Sequence, residues 1–197
     1  KVSGSKIGNP PEVRINKVTS NLAHLWNLAR IQDYLDYLYA LKEKKNEALD
    51  ILEEVEHIYF IGNGGSMAIC SHMMEDYAKI GGFKSHSFSD PSLISCFAND
   101  YGYENALAEW LKIYLQPNDL LVAISSSGNS PNILNAVEVA HSIGSPVISL
   151  SGFKKDNKLK TKGKVNFHLE IENYGVVECF HQVILHAMLD EYAIAHE

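Results

Sequence analysis

Short apolar runs alternate with helix-patterned segments from His57 to the end of the chain, and this alternation restricts the possible folds more than any other feature. The candidate strands are His57–Ile61, Lys84–Phe88, Leu120–Ser125, Pro146–Ser151 and Val165–Ile171. The candidate helices are Ser66–Ile80, Glu104–Leu115, Pro131–Ser142 and Val177–Ala195. Strands joined through helices run parallel, and the helices cover both faces of the sheet they form. Glycines stand where helices should stop, at Gly81-Gly82 and Gly144. The expectation is an α/β three-layer sandwich around a five-stranded parallel sheet.

Upstream of the first strand, Val13 to about Val55 reads as helix. Leu22, Leu25 and Trp26 recur at helical spacing, as do Leu35, Leu38 and Leu41 and then Ala48, Ile51 and Leu52. Lys42-Glu43-Lys44-Lys45 is either a solvated face or a break between two helices. Two N-terminal helices are expected, the first of them packing against another subunit. Residues 1–12 read as a polar tail, and 13–197 as a single domain whose helical extension covers about 13–55.

At 197 residues and 46% hydrophobic content, the chain can bury a core without disulfides or a structural metal. Its net charge of −7 argues against nucleic acid as a partner. Cys70, Cys96 and Cys179 form no CxxC pair, which suits a reduced compartment. No apolar run approaches membrane-spanning length and no signal peptide opens the sequence, so a cytoplasmic protein with no membrane partner is expected.

Two loops rich in glycine and serine follow candidate strands one and three. The first reads Gly62-Asn63-Gly64-Gly65-Ser66, the second Ser125-Ser126-Ser127-Gly128-Asn129-Ser130. If the strand order is 2-1-3-4-5, these strands are neighbours at the reversal of order, where ligands of open parallel sheets bind. Serine hydroxyls, backbone amides and helix N-termini together suit a phosphate. Ser130-Pro131 reads as an N-cap followed by proline at the first helical position. The plainer reading of each loop is a capped turn. A dinucleotide fingerprint fails because Met67 stands at its third glycine, and no phosphate-loop Gly-Lys-Ser/Thr is present. His72 and Asp76 share a helix face one turn apart, which is either a chemical pair or an ordinary surface pair.

The two loops, together with Ser95-Cys96-Phe97-Ala98-Asn99-Asp100-Tyr101-Gly102-Tyr103, resemble the SIS (sugar isomerase) domain, and within it the bacterial phosphoheptose isomerases. The resemblance covers most of the chain. It implies a flavodoxin-like fold, a homotetramer with active sites at subunit boundaries, and a phosphosugar substrate. The implied reaction converts sedoheptulose 7-phosphate to D-glycero-D-manno-heptose 7-phosphate through an enediol, a product that commonly feeds lipopolysaccharide or capsule.

By the same resemblance, Asn63, Gly64, Ser66, Ser125, Ser126, Ser127 and Ser130 bind the phosphate end. Asp90 and Asn99 contact sugar hydroxyls, and His181 lines the pocket. His72, Asp76, Glu178 and His186 would ligate a divalent metal, zinc first, with Asp76 and His186 as the acid–base pair. Whether those two act as ligands or as free proton carriers stays open at this level. The chain departs from the family pattern in three places. Asp76 stands for a glutamate, Glu178 for a glutamine, and Lys79-Ile80 where an arginine is usual. These departures keep an isomerase of another phosphosugar as an alternative, beside a non-catalytic sugar-phosphate regulator or scaffold.

Overall fold

The computed structural model describes residues 41–196 and Tyr39. The expected polar tail and the first N-terminal helix lie outside the described residues. The chain divides into two compact units, Lys1–Lys42 and Glu43–Glu197, and the second carries the sheet and everything described below.

Five strands form one parallel sheet: β1 (His57–Ile61), β2 (Lys84–Ser87), β3 (Leu120–Ser125), β4 (Val147–Gly152) and β5 (Val165–Leu169). Their order is β2-β1-β3-β4-β5, so the two phosphate-suited loops leave adjacent strands as expected. β3 and β4 are buried along their whole length, which explains their continuous apolar character. β2 reads Lys-Ser-His-Ser, and that polarity fits a strand at the edge.

The described helices are α1 (Lys42–Glu53), α2 (Gly65–Lys79), α3 (Pro91–Tyr101), α4 (Tyr103–Tyr114), α5 (Pro131–Ile143) and α6 (Tyr174–Ala195). Period-two alternation in the strands sorts them into layers. Tyr59 and Ile61 of β1, with Leu121 and Ala123 of β3, join a core built from α4 and α5. Phe60 points the other way, and its ring meets Tyr77 of α2 edge-on at 5.2 Å. α6 packs beside α2 on that second face, and Tyr77 Oη donates to the Leu185 carbonyl across the pair at 2.9 Å. α1 is tied to α6 by the Lys45–Glu191 ion pair, and Lys44 Nζ donates to the Asn166 carbonyl of β5 at 3.1 Å. Among the described residues no helix is long and apolar enough to cross a membrane.

The expected elements appear with shifts of a few residues at their ends. The 84–88 strand stops at Ser87, and the 165–171 strand stops at Leu169. Two elements were not expected. One is α3, which buries no residue fully, although Leu93, Ile94, Phe97 and Ala98 pack at helical spacing against the core. It is started by Asp90, whose carboxylate accepts from the backbone N–H of Ser92 and Leu93 at 2.8 and 3.0 Å, and by Pro91 at the first position. The other is the 3₁₀ turn Leu159–Thr161, the only helical turn in the β4–β5 crossover.

Candidate active site

The carboxyl ends of β1 and β3 open into a pocket of about 130 Å³. The serine loop lines it with Ser125, Ser126, Ser127 and Ser130, and the first loop adds Asn63 and Ser66. Tyr174 and Glu178 from the first turns of α6 complete the wall. Ser130 occupies the N-cap position of α5 but makes no side-chain cap bond. Its Oγ turns instead to Ser125 Oγ at 3.2 Å, while the expected N-cap position followed by proline is found. Ser126 Oγ is buried without a partner, a polar atom a bound anion would satisfy. Gly64 stands at the N-cap of α2. Asn63 is held rigidly by a reciprocal pair with Asn132 (2.9 and 2.8 Å) and by Tyr103 Oη, which donates to its Oδ1 at 2.9 Å.

The serine loop is braced from behind. Gly128 has φ +62°, and a Cβ there would overlap the Asn157 side chain. Asn157 is buried, and its Nδ2 donates to the carbonyls of Gly152 (3.2 Å) and Lys154 (2.8 Å). Its Oδ1 accepts from Lys160 N–H at 3.0 Å. Backbone bonds clasp the two segments together: Leu159 N–H donates to the Gly128 carbonyl at 2.9 Å and Lys158 N–H to Asn129 Oδ1 at 3.2 Å. Below this clasp lies a buried polar group. His168 Nδ1 is 3.0 Å from Ser151 Oγ, and His181 Nε2 is 3.2 Å from the Ser151 carbonyl. Burial pushes the His181 pKa down to about 4, so its ring is neutral. His181 is therefore a core histidine and not a lining residue of the serine pocket, which corrects the expectation for it.

Farther along the α2–α6 pair, His72, Asp76 and His186 converge, one ligand atom from each lying within 4.8 Å of the others. Asp76 Oδ2 is 3.3 Å from His72 Nε2 and 3.8 Å from His186 Nδ1. The two imidazole centroids are 5.3 Å apart. The Tyr77–Leu185 bond, one residue from Asp76 and one from His186, fixes the spacing between the helices here. All three side chains are partly exposed, so the cluster has an open side. Two imidazole nitrogens and one carboxylate oxygen with an open side match the donor set of a catalytic zinc centre, and the residues fit such an ion.

Glu178 does not join this cluster. Eight residues along a helix amount to about 12 Å of rise and about 80° of rotation, which separates Glu178 from His186. Its carboxylate instead packs over Gly65, where a Cβ would lie 2.5 Å from either oxygen. The four-ligand set expected from the resemblance thus resolves into three converging groups, with the fourth in the serine pocket. Asp90 and Asn99 are not brought to that pocket either. Asp90 caps α3, and its hydrogen bonds from Ser92 and Leu93 hold its carboxyl below the usual range. Asn99 Nδ2 donates to Asp100 Oδ1 at 2.9 Å. His57 of β1 and His86 of β2 stack on one another at 5.8 Å.

Several residues escape the sequence reading. Glu75, about 100° from Asp76 around the helix, meets the other nitrogen of His72, with Oε1 at 3.2 Å from Nδ1. A carboxylate on that nitrogen orients the ring with Nε2 toward Asp76, the usual way a ligating histidine is aimed. The i,i+3 spacing of His72 and Glu75 was the available signal. Tyr174 and Asn157 carried none, and the contacts of Asn132 and Tyr103 with Asn63 join residues far apart in the chain.

The pattern of the SIS domain matches residues 38–152 of this chain. A phosphoheptose isomerase of Fusobacterium nucleatum is 32% identical over 163 residues, covering 76% of this chain and 82% of that protein. The structure of a phosphoheptose isomerase from Neisseria gonorrhoeae superposes with a TM-score of 0.77 at 25% identity, over 90% of this chain and 97% of the other. One from Francisella tularensis has the same fold, with a TM-score of 0.78 at 24% identity over 93% and 98% of the two chains.

Proposed function

Since the chain belongs to the SIS-domain family, with phosphoheptose isomerases among its relatives, we propose that it interconverts sedoheptulose 7-phosphate and D-glycero-D-manno-heptose 7-phosphate. The observation that carries this reading is the pair of polar stations along α2 and α6. The serine pocket lies at their N-terminal ends and the His72–Asp76–His186 cluster farther along. Six residues separate Ser66 from His72 and eight separate Glu178 from His186, or about 9 and 12 Å of helix rise. An extended seven-carbon sugar phosphate, built from bonds of about 1.5 Å, measures about 10 Å from C1 to phosphorus. The phosphate sits among Ser125, Ser126, Ser127, Ser130 and Ser66, with Asn63, Gly64 and the N-termini of α2 and α5 beside it. The carbonyl end then reaches the imidazole–carboxylate cluster.

Isomerisation moves one proton between C1 and C2 and another between their oxygens. Asp76 Oδ2 and His186 Nδ1 are the groups that carry these protons, each able to accept on one side of the enediol and return on the other. His72, held by Glu75, keeps Asp76 oriented. A divalent ion, zinc in the first instance, would be held by His72, Asp76 and His186 and would polarise the sugar carbonyl; an Asp76 Oδ2 or His186 Nδ1 that ligates it no longer carries a proton, so each of the two atoms serves as ligand or as proton carrier and not as both at once. Binding energy from the remote phosphate orients the reacting carbons. The reading extends to a homotetramer, as the resemblance implies, and to a reduced, cytoplasmic setting, as the unpaired cysteines suggest.

The test is a panel of five-, six- and seven-carbon ketose phosphates, incubated with the metal-loaded protein and followed by NMR. Aldose formation from the seven-carbon substrate is expected. Turnover of a shorter ketose alone would keep the chemistry and replace the substrate. Binding without turnover of any of them would favour a sugar-phosphate regulator.

A further inference from the structure

Resting on the phosphosugar reading above, we propose that Tyr103 is a positioning residue of the phosphate grip. Its phenol donates to Asn63 Oδ1 and so holds that carboxamide with an N–H, and not an oxygen, turned toward the bound phosphate.

Asn63 lines the serine pocket, yet a carboxamide serves an anion from one end only. Its nitrogen end donates, and its oxygen end repels. Three hydrogen bonds decide which end the pocket meets. Asn63 Nδ2 donates to Asn132 Oδ1 at 2.9 Å, and Asn132 Nδ2 donates back to Asn63 Oδ1 at 2.8 Å. That reciprocal pair does not choose an orientation by itself, because turning both amides over together restores the same two bonds. The choice comes from the third bond, in which Tyr103 Oη donates to Asn63 Oδ1 at 2.9 Å. A phenol donates better than it accepts, since its oxygen lone pair is shared with the ring. It therefore favours the oxygen of Asn63 over the amide nitrogen as its neighbour. Asn63 Oδ1 then has both lone pairs engaged, and Nδ2 keeps one hydrogen that no described residue accepts. A phosphate oxygen in the serine pocket is the acceptor left for it. Donation to Oδ1 also polarises the amide and strengthens that N–H as a donor.

Tyr103 reaches Asn63 from 40 residues away. Gly102, at φ +78°, turns the chain between α3 and α4 and delivers Tyr103 as the first residue of α4. Behind the amide pair, Met67, Phe88, Ile94 and Leu107 line a small apolar cavity, so the three bonds are sheltered on that side.

Tyr103 is 52% exposed, so Tyr103→Phe removes one hydroxyl with little effect on packing. The control is Tyr101→Phe, at a residue 50% exposed on the same corner whose hydroxyl makes no hydrogen bond among the described residues. Calorimetry should show inorganic phosphate binding about two- to tenfold more weakly to Tyr103→Phe, the range that one hydrogen bond spans. Tyr101→Phe should bind it as the wild type does, and thermal melts of all three proteins should nearly coincide. The NMR signal of the Asn63 side-chain amide is the readout that a merely structural role would not move. In the wild type, phosphate should shift one amide proton far more than its partner on the same nitrogen, which is bound to Asn132. In Tyr103→Phe the signal should broaden or double before phosphate is added and sharpen afterwards. Phosphate binding weakened by less than about twofold in Tyr103→Phe would overturn the proposal, and so would weaker binding with the Asn63 signal unaltered. Sugar-phosphate turnover is read separately. Conversion by the wild type with phosphate affinity unaltered in Tyr103→Phe defeats this inference alone, whereas weakened phosphate binding in the variant without conversion by the wild type defeats the isomerase reading alone.

Discussion

Replacing Gly128 by alanine tests whether the phosphate grip is built by close packing of the serine loop on the β4–β5 crossover. Gly128 has φ +62°, a conformation that costs a side-chain-bearing residue about 1–2 kcal/mol. Its new Cβ would also overlap Asn157, whose carboxamide is buried and makes hydrogen bonds to Gly152, Lys154 and Lys160. Displacing that amide breaks these bonds and strands polar atoms away from water, for about 1–3 kcal/mol more. The expected loss is about 2–5 kcal/mol in a urea titration. Gly144→Ala is the matched control. Gly144 has φ +88° with nothing within 4 Å of its would-be Cβ, so only the conformational cost applies. The two variants should differ by the packing contribution, and Gly128→Ala should also raise KM for the sugar phosphate. Equal destabilisation by both alanines, with KM unchanged, would refute the bracing argument.

Asp76→Asn and His186→Ala should each lower kcat by about a hundredfold or more while leaving inorganic phosphate binding near wild type, because general acid–base groups contribute on that scale; turnover within threefold of wild type would remove the residue from the chemistry. Stability should fall with acid in a window set by His181. Its folded pKa is lowered from 6.5 to about 4 by burial, so the unfolded chain takes up the proton first. The stabilisation is complete above pH 6.5 and is lost as pH falls toward 4, at no more than about 1.4 kcal/mol per pH unit. Burial shifts His168 in the same direction, adding to the slope, and urea midpoints that stay flat between pH 7 and 5 would contradict both assignments.

The sheet was legible in the sequence because its strands are short apolar runs separated by helices, whereas the order 2-1-3-4-5 was assumed there and is found in the structure. α3 carried signals that the sequence reading did not use: Leu93, Ile94, Phe97 and Ala98 recur at helical spacing, and Asp90-Pro91 is a start signal. That same Asp90, expected as a sugar contact, caps the helix with its carboxylate. Helical spacing found His72 with Asp76, since both lie on one helix, and His186 came through the family resemblance. Spacing left Glu178 open, since eight residues of α6 require two side chains to lean toward one ion, and in the structure only His72, Asp76 and His186 converge. What sequence does not carry is contact between distant segments. The Asn63–Asn132 pair, the Tyr103 bond to it and the Asn157 brace join residues tens of positions apart.

The most direct test of the central claim, that a phosphate held in the serine pocket presents its sugar carbonyl to Asp76 and His186, is isomerisation of sedoheptulose 7-phosphate in deuterium oxide followed by NMR. The claim predicts an aldose phosphate carrying solvent deuterium at C2, formed by the wild-type protein and lost in both Asp76→Asn and His186→Ala. Recovery of unlabelled, unconverted ketose from the metal-loaded wild-type protein, under conditions where calorimetry shows the sugar phosphate bound, would contradict it.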